Sequence, residues 1–201
     1  MAPNMSLFAV NAILILSTDD SSRILAKYYS PPHPPAGAGH SASSGFPGAN
    51  PYPTVKEQKA FEKGLLEKTA KQTSDVILYD NRVVVFKAES DVMLYVVGAA
   101  DENEVLLYNV ILALRDALNI LLKNSTDKRT IVENYDLVSL AVDEICDDGI
   151  ILETDPVIVA SRVSRPPAQD VSMKGIDLSE QGLLNAWSNL KSMGQERLRQ
   201  L

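Results

Sequence analysis

The chain has 201 residues, of which 45% are hydrophobic, and it carries a formal net charge of −7 at pH 7. This length supports one ordinary domain, or one domain plus appendages, whose core needs neither disulfides nor metals. The negative charge argues against nucleic acid or an anionic lipid surface as a direct partner, because both require an excess of Lys and Arg. The single cysteine, Cys146, excludes an intrachain disulfide, and we interpret it as a small buried hydrophobe.

The first part of the chain predicts a β-hairpin followed by an unstructured insert. Segments 7–18 and 22–30 are rich in β-branched and large apolar residues, and the Asp-Asp-Ser-Ser stretch between them is typical of a turn. Residues 31–53 hold seven of the eleven prolines, four of the ten glycines and no charged residue. We expect this insert to be disordered, because it cannot bury enough apolar area to offset the entropy of ordering. Residues 1–6 are expected to be a flexible N-terminus.

A helix and three strands are predicted after the insert. Thr54 and Glu57 form a capping box at the start of an amphipathic helix with a narrow apolar stripe. Tight turns at 80–81 and 89–91 then separate short apolar runs. The predicted strands are 74–79, 82–89 and 91–100. With the first hairpin they make a five-stranded, largely antiparallel sheet.

The remainder of the chain is predicted to be mainly helical. Segment 101–124 opens with a candidate capping box, Asp101 and Glu104, and is apolar on most sides, so it is either sandwiched within its own domain or covered by a partner. Segment 127–149 predicts a helix that ends at Gly149. Segment 156–163 is predicted to be extended. A linker and a C-terminal helix are expected over 166–201, which leaves an α+β domain at 7–165 with helices packed on an antiparallel sheet.

The acidic stretch from Tyr135 to Pro156 has three possible roles: a metal loop, a catalytic site or a docking surface. With Gly149 at the sixth position of a calcium-binding EF-hand loop, Cys146 occupies a ligand position and Asp155 stands where a bidentate Glu is needed. The calcium signal is therefore weak. Helical spacing places the acidic residues on the solvated side, where nothing separates the pKa values of two carboxylates for acid and base work.

A solvated helix face is the simplest interpretation of this stretch, but Leu140 lies among its acids and suggests that a second chain covers it. The predicted partner-binding residues are Tyr135, Leu140, Asp143, Glu144 and Asp148. No catalytic, cofactor-binding or metal-binding residue is predicted. Both histidines, His33 and His40, lie in the insert, where no rigid geometry would hold them.

Three long segments, in order along the chain, resemble the zeta subunits of coatomer, the coat of COPI vesicles. They are "LFAVNAILILSTDDSSRILAKYY", "YDNRVVVFKAESDVMLYVVGAADENEVLLYNVILALRDAL" and "ENYDLVSLAVDEICDDGIILETDP". The last segment is also similar to the sigma chains of clathrin adaptors. The resemblance covers roughly residues 6 to 165, and the tail "LLNAWSNLKSMGQERLRQL" is zeta-like as well. The insert at 31–53 departs from it, because related chains are shorter there.

The resemblance implies a longin-like fold and a structural, non-enzymatic role. It implies a heterodimer with the gamma subunit of coatomer, within an adaptor-like core that includes the remaining coatomer subunits. The assembled coat would be recruited by an ARF-family GTPase, which this chain would meet only indirectly, to the cytosolic face of Golgi membranes. Membrane contact would occur only through that coat, in Golgi-to-ER retrograde and intra-Golgi transport. The alternative is a longin-type module that binds sorting-signal peptides directly.

Overall fold

The computed structural model describes residues 7–30 and 52–164. Seven strands and five helices lie within these ranges. In chain order they are β1 (Val10–Ser17), β2 (Arg23–Tyr28), α1 (Val55–Thr69), β3 (Val76–Tyr79), β4 (Arg82–Glu89), β5 (Val92–Ala99), α2 (Glu104–Leu121), α3 (Lys128–Glu133), α4 (Tyr135–Ile145), β6 (Cys146–Asp147), β7 (Ile150–Ile151) and α5 (Pro156–Val163). The predicted flexible N-terminus, most of the predicted insert, and the predicted linker and C-terminal helix lie outside the described residues.

The main sheet has five strands in the order β2-β1-β5-β4-β3, and every neighbouring pair is antiparallel. The predicted five-stranded antiparallel sheet is therefore confirmed. Its hairpin turns follow local chemistry: Asp80 and Asn81 both adopt positive φ angles, 49° and 56°, in the two-residue turn between β3 and β4. Asp and Asn tolerate this backbone region better than other residues with side chains, which fits them to such turns.

Helices cover both faces of this sheet. Alternate residues of β1, β4 and β5 point to opposite faces of the sheet. Because both faces are covered, most residues of these strands are apolar. One face packs against α1 through Phe61, Leu65 and Leu66. The opposite face packs against α2, and residues of α3, α4 and α5 complete that second core. Because both faces are covered, all eight residues of β1 are buried.

Helix α2 owes its broad apolar surface to its position within the domain. It contacts β4 and β5 on one side and α4 and α5 on another. Of the two explanations that the sequence allows, the sandwiched one accounts for most of its apolar residues. The predicted capping box is wrong: Asn103, not Asp101, caps the helix, and its side chain accepts hydrogen bonds from Val105 N and Leu106 N at 3.0 and 3.3 Å.

The single helix predicted over 127–149 is wrong, because the chain forms α3, α4 and a short hairpin there. The break falls at Asn134, whose side-chain amide donates to the Thr130 carbonyl at 2.9 Å and so competes with helix continuation. Gly149 does not end a helix. It lies with Asp148 in the turn between β6 and β7, where both have positive φ angles. An Asp-Gly pair is a strong signal for such a hairpin.

Segment 156–163 forms helix α5, so the prediction of an extended segment is wrong. Asp155 caps this helix, with its carboxylate accepting from Val157 N at 2.8 Å and Ile158 N at 3.1 Å. Pro156 occupies the first turn, where the N–H that proline lacks is not needed. The periodicity of a short apolar run does not distinguish a strand from a helix. Here the Asp155-Pro156 pair, a typical helix N-terminus, favours the helix.

Strand β2 and helix α1 are joined by a buried ionic network on the α1 face. Glu62 accepts a hydrogen bond from Arg23 Nε at 3.0 Å and one from the Tyr28 hydroxyl at 2.9 Å. A second guanidinium nitrogen of Arg23 lies 2.6 Å from the same carboxylate. Tyr52, near the predicted end of the insert, is buried, stacks on Phe61 with ring centroids 4.3 Å apart, and belongs to the folded part of the domain.

Candidate partner-binding surface

The predicted partner-binding residues lie on and next to α4. This helix buries one face completely, because Val138, Ala141, Val142 and Ile145 have no exposed surface. The opposite side carries Leu140, of which 53% is exposed, in the middle of the helix. The predicted orientation of α4 is therefore right.

Two of the acidic residues beside Leu140 form ion pairs within the chain. Asp143 pairs with Lys27 of β2, which ties α4 to the edge of the main sheet. Glu144 lies 3.3 Å from Arg162 of α5, and the same guanidinium is 3.5 Å from Glu153. These carboxylates are about half exposed or less, so they remain within reach of a partner. Part of their charge is nevertheless already balanced by the fold.

Tyr135 and Asp148 lie far apart on this surface. Tyr135 is the first residue of α4 and is exposed, whereas Asp148 follows the helix in the hairpin turn. Ten further helical residues follow Tyr135 before α4 ends, which corresponds to about 15 Å along the axis. The structure therefore places Leu140, Asp143 and Glu144 together and leaves Tyr135 and Asp148 at opposite ends.

Sequence reasoning missed three exposed apolar residues that follow α4: Leu152, Val157 and Ile158. Val157 and Ile158 belong to α5, which contacts α4, and Arg162 of α5 joins the two helices through Glu144. Because the sequence predicts an extended segment over 156–163, it does not place Val157 and Ile158 on any helix face. The helix-start signal at Asp155 and Pro156 would have placed them on the surface of a helix.

Cys146 directly follows α4 and is the single cysteine of the chain. Cys146 is buried, as predicted, and burial raises the pKa of its thiol to about 12, which keeps it protonated at neutral pH. Within 7–30 and 52–164, no group of three or more His, Cys, Asp or Glu residues is arranged to hold a metal ion. None of the described helices combines the length and apolarity required to cross a membrane.

Comparison with known proteins identifies the family. The family model described as the clathrin adaptor complex small chain matches residues 49–168. The coatomer subunit zeta of Saccharomyces cerevisiae is 43% identical over 197 residues, which is 98% of this chain and 98% of the yeast protein. The coatomer zeta-1 subunits of Bos taurus and Homo sapiens are each 41% identical over 159 residues, covering 79% of this chain and 78% of theirs.

The fold has a counterpart among larger assemblies. A chain in a homology model of the full-length AP-3 complex in a stretched open conformation superposes with a TM-score of 0.54 at 14% identity, covering 77% of this chain and 90% of that one. Together with the five-stranded sheet, this similarity confirms the expected longin-like fold. The architecture is that of an adaptor small chain. The chain belongs to the clathrin adaptor complex small chain family and, within it, to the zeta subunits of coatomer.

Proposed function

We propose that this chain is a structural, non-enzymatic subunit of a COPI coat and that it pairs with the gamma subunit of coatomer. The observation that carries the proposal is the similarity to the yeast coatomer zeta subunit at 43% identity along almost the whole chain. A partner role also agrees with the exposed apolar side chains on α4 and α5.

In this proposal the chain sits in the adaptor-like core of the coat with the other coatomer subunits. It reaches the cytosolic face of Golgi membranes only through the assembled coat, which an ARF-family GTPase recruits. The coat would carry Golgi-to-ER retrograde and intra-Golgi traffic. A fluorescently labelled chain should then lie at the Golgi and disperse when ARF is held in its GDP-bound state. Retention at the Golgi under that condition would contradict the proposed recruitment.

The test of the pairing is co-expression of the full chain with the gamma subunit from the same organism. We expect the two chains to elute together from a sizing column at a 1:1 ratio, and each to be less soluble when expressed alone. Separate elution with unchanged solubility would contradict the pairing.

Two matched substitutions test the surface on α4. Leu140→Asp places a charge at the centre of this surface and is expected to weaken the heterodimer by about tenfold or more, because an unpaired carboxylate would be buried against the partner. Leu78→Asp is the control: Leu78 is 68% exposed, against 53% for Leu140, and lies on the edge strand β3. Equal affinity of the two variants would refute the role of α4 but leave the pairing itself intact.

A further inference from the structure

Strands β3 and β4 differ in length, which leaves one edge of the main sheet incomplete. All eight residues of β4 pair with β5, but β3 pairs only with Arg82 to Val85. One more hydrogen bond follows, from Phe86 N to the Asp75 carbonyl at 2.9 Å. Before Asp75 the chain turns away at Ser74, whose hydroxyl accepts a hydrogen bond from Val76 N at 3.2 Å. The last residues of β4 therefore have no strand beside them among the described residues.

The exposed backbone of this edge belongs to Ala88. In an antiparallel sheet, successive residues point their N–H and C=O groups alternately to the two neighbouring strands. Because Phe86 N–H points away from β5, the N–H and C=O of Ala88, two residues later, point the same way. Ala88 is exposed, and no described strand residue pairs with it on that side. One donor and one acceptor are thus available for an added strand.

A pocket of about 530 Å³ lies beside this edge, on the face of the sheet that α1 covers. Leu66 of α1, Phe86 and Met93 provide its apolar walls, and Ala88 lines its mouth. Its polar rim includes Glu67 and Asp75, and none of the described residues that line it is Lys or Arg. The Asp75 carboxylate pairs with Lys87 and accepts a hydrogen bond from the Tyr108 hydroxyl of α2 at 3.3 Å, so it is directed to the opposite face of the sheet. Glu67 forms no ion pair with any described residue. Among the described lining residues, Glu67 is therefore the one carboxylate left to pair with a cationic group of a ligand, beside an apolar centre.

We propose that the edge of β4 and this pocket bind an extended segment of a partner polypeptide, which adds a short strand next to Ala88. A residue directly opposite Ala88 would exchange two backbone hydrogen bonds with it and point its own side chain to the same face, into the pocket. That side chain is a large apolar one such as leucine. A Lys or Arg two residues away would point to the same face, where Glu67 balances its charge.

This site is separate from the surface on α4. The pocket lies on the α1 face of the sheet, whereas α4 contributes to the core on the opposite face. The proposal therefore stands whether or not the chain pairs with a gamma subunit.

The test is a titration of the isotope-labelled full chain with a synthetic peptide, Thr-Lys-Val-Leu-Val-Lys-Thr, followed by NMR. We expect saturable shifts of the Phe86 and Ala88 amides and the Met93 methyl group, with a dissociation constant below about 1 mM. Two control peptides separate the contributions. Replacing the central leucine with aspartate removes the anchor, and methylating its backbone nitrogen removes one hydrogen bond. Each is expected to bind about tenfold more weakly or worse.

Protein variants complete the test. Ala88→Phe fills the mouth of the pocket from an exposed position and is expected to weaken peptide binding at least about tenfold. Ala100→Phe is the matched control, because Ala100 is also exposed but follows the far end of β5. If Ala88→Phe does not fold, Ala70→Phe blocks the pocket from the end of α1 instead.

Several results would overturn the proposal. They are the absence of shifts at millimolar peptide, equal binding of the leucine and aspartate peptides, and unchanged binding to a blocked variant. Self-association of the chain that Ala88→Phe abolishes, without peptide binding, would assign the edge to a second copy of the chain instead.

Discussion

The buried carboxylate of Glu62 gives the sharpest test of how α1 is held on the sheet. Only 5% of this residue is exposed, and its carboxylate contacts the Arg23 guanidinium and the Tyr28 hydroxyl. The substitution Glu62→Met keeps the size and helix propensity of the side chain but removes the carboxylate that balances the charge of Arg23, which keeps only a 3.3 Å hydrogen bond to Gln58. Removing one member of a buried ion pair costs about 3–5 kcal/mol. A quarter of the Arg23 side chain is exposed, so water offsets part of this cost, and we expect about 2–3 kcal/mol.

The measurement is equilibrium unfolding in urea, followed by circular dichroism. The double variant Arg23→Met, Glu62→Met should recover most of the loss and lie within about 1 kcal/mol of the parent chain, because no charge is left unpaired. Glu67→Met is the control on the same helix. Glu67 is exposed, so the change should stay within about 0.5 kcal/mol. If the double variant is as unstable as the single one, or if the single one loses less than about 1 kcal/mol, the reasoning is refuted.

Three further predictions concern other local features. Gly149→Ala should lower the free energy of unfolding by about 2–4 kcal/mol, as measured by thermal unfolding. Gly149 has φ +85°, and an added Cβ would lie 2.6 Å from the Val10 carbonyl oxygen. Asp155→Ala should cost about 1 kcal/mol in urea unfolding, because it removes the cap of α5. The hydrogen bond from Lys128 holds the pKa of Asp20 below its usual 3.8. The ionised Asp20 carboxylate therefore stabilises the fold above pH 3.8, and this stabilisation is lost as the pH falls and the carboxylate is protonated. Asp20→Asn should therefore flatten the pH dependence of unfolding between about pH 5 and pH 2.

Each of these predictions has its own control. Gly149→Asn suits the positive φ angle but also adds a Cβ, so it should be destabilising too, and a neutral result would rule out the contact with Val10. Asp155→Ser keeps a capping oxygen and should leave the free energy of unfolding almost unchanged. Asp19→Asn, beside Asp20 and also exposed, should leave the pH profile unchanged. The same flattening in both variants would attribute the effect to net charge rather than to the contact with Lys128.

The five-stranded sheet is predictable from the sequence because the patterns that indicate its strands and turns are local and agree with one another. Strands β3, β4 and β5 are apolar runs bounded by two-residue turns, and Thr54 with Glu57 forms the predicted capping box of α1. The failures arose where two local signals compete. At Asn134 a side-chain hydrogen bond interrupts a pattern that is otherwise helical. At 156–163 the apolar run favoured a strand, although Asp155 and Pro156 begin a helix.

The candidate surface was only partly predictable. Helical angles alone place Leu140 opposite the buried face of α4, and this part of the prediction is right. The partners of Asp143 and Glu144 come from β2 and α5, which are distant in sequence, so no spacing rule could reveal them. The open edge at Ala88 was also invisible, because it depends on where β3 stops relative to β4.

The short distance between Tyr28 and Tyr52 has a practical consequence. Their ring centroids are 6.0 Å apart, in an edge-to-face contact, although 23 residues separate them in the sequence. Both rings are fixed to the same side of the domain, Tyr28 by Glu62 and Tyr52 by a 2.6 Å hydrogen bond to Asp80. Because lengthening a segment whose two ends are fixed adds little entropic cost, we expect the fold to accept a fluorescent reporter domain inserted between Ser30 and Tyr52. Neither end of the chain would then carry the reporter.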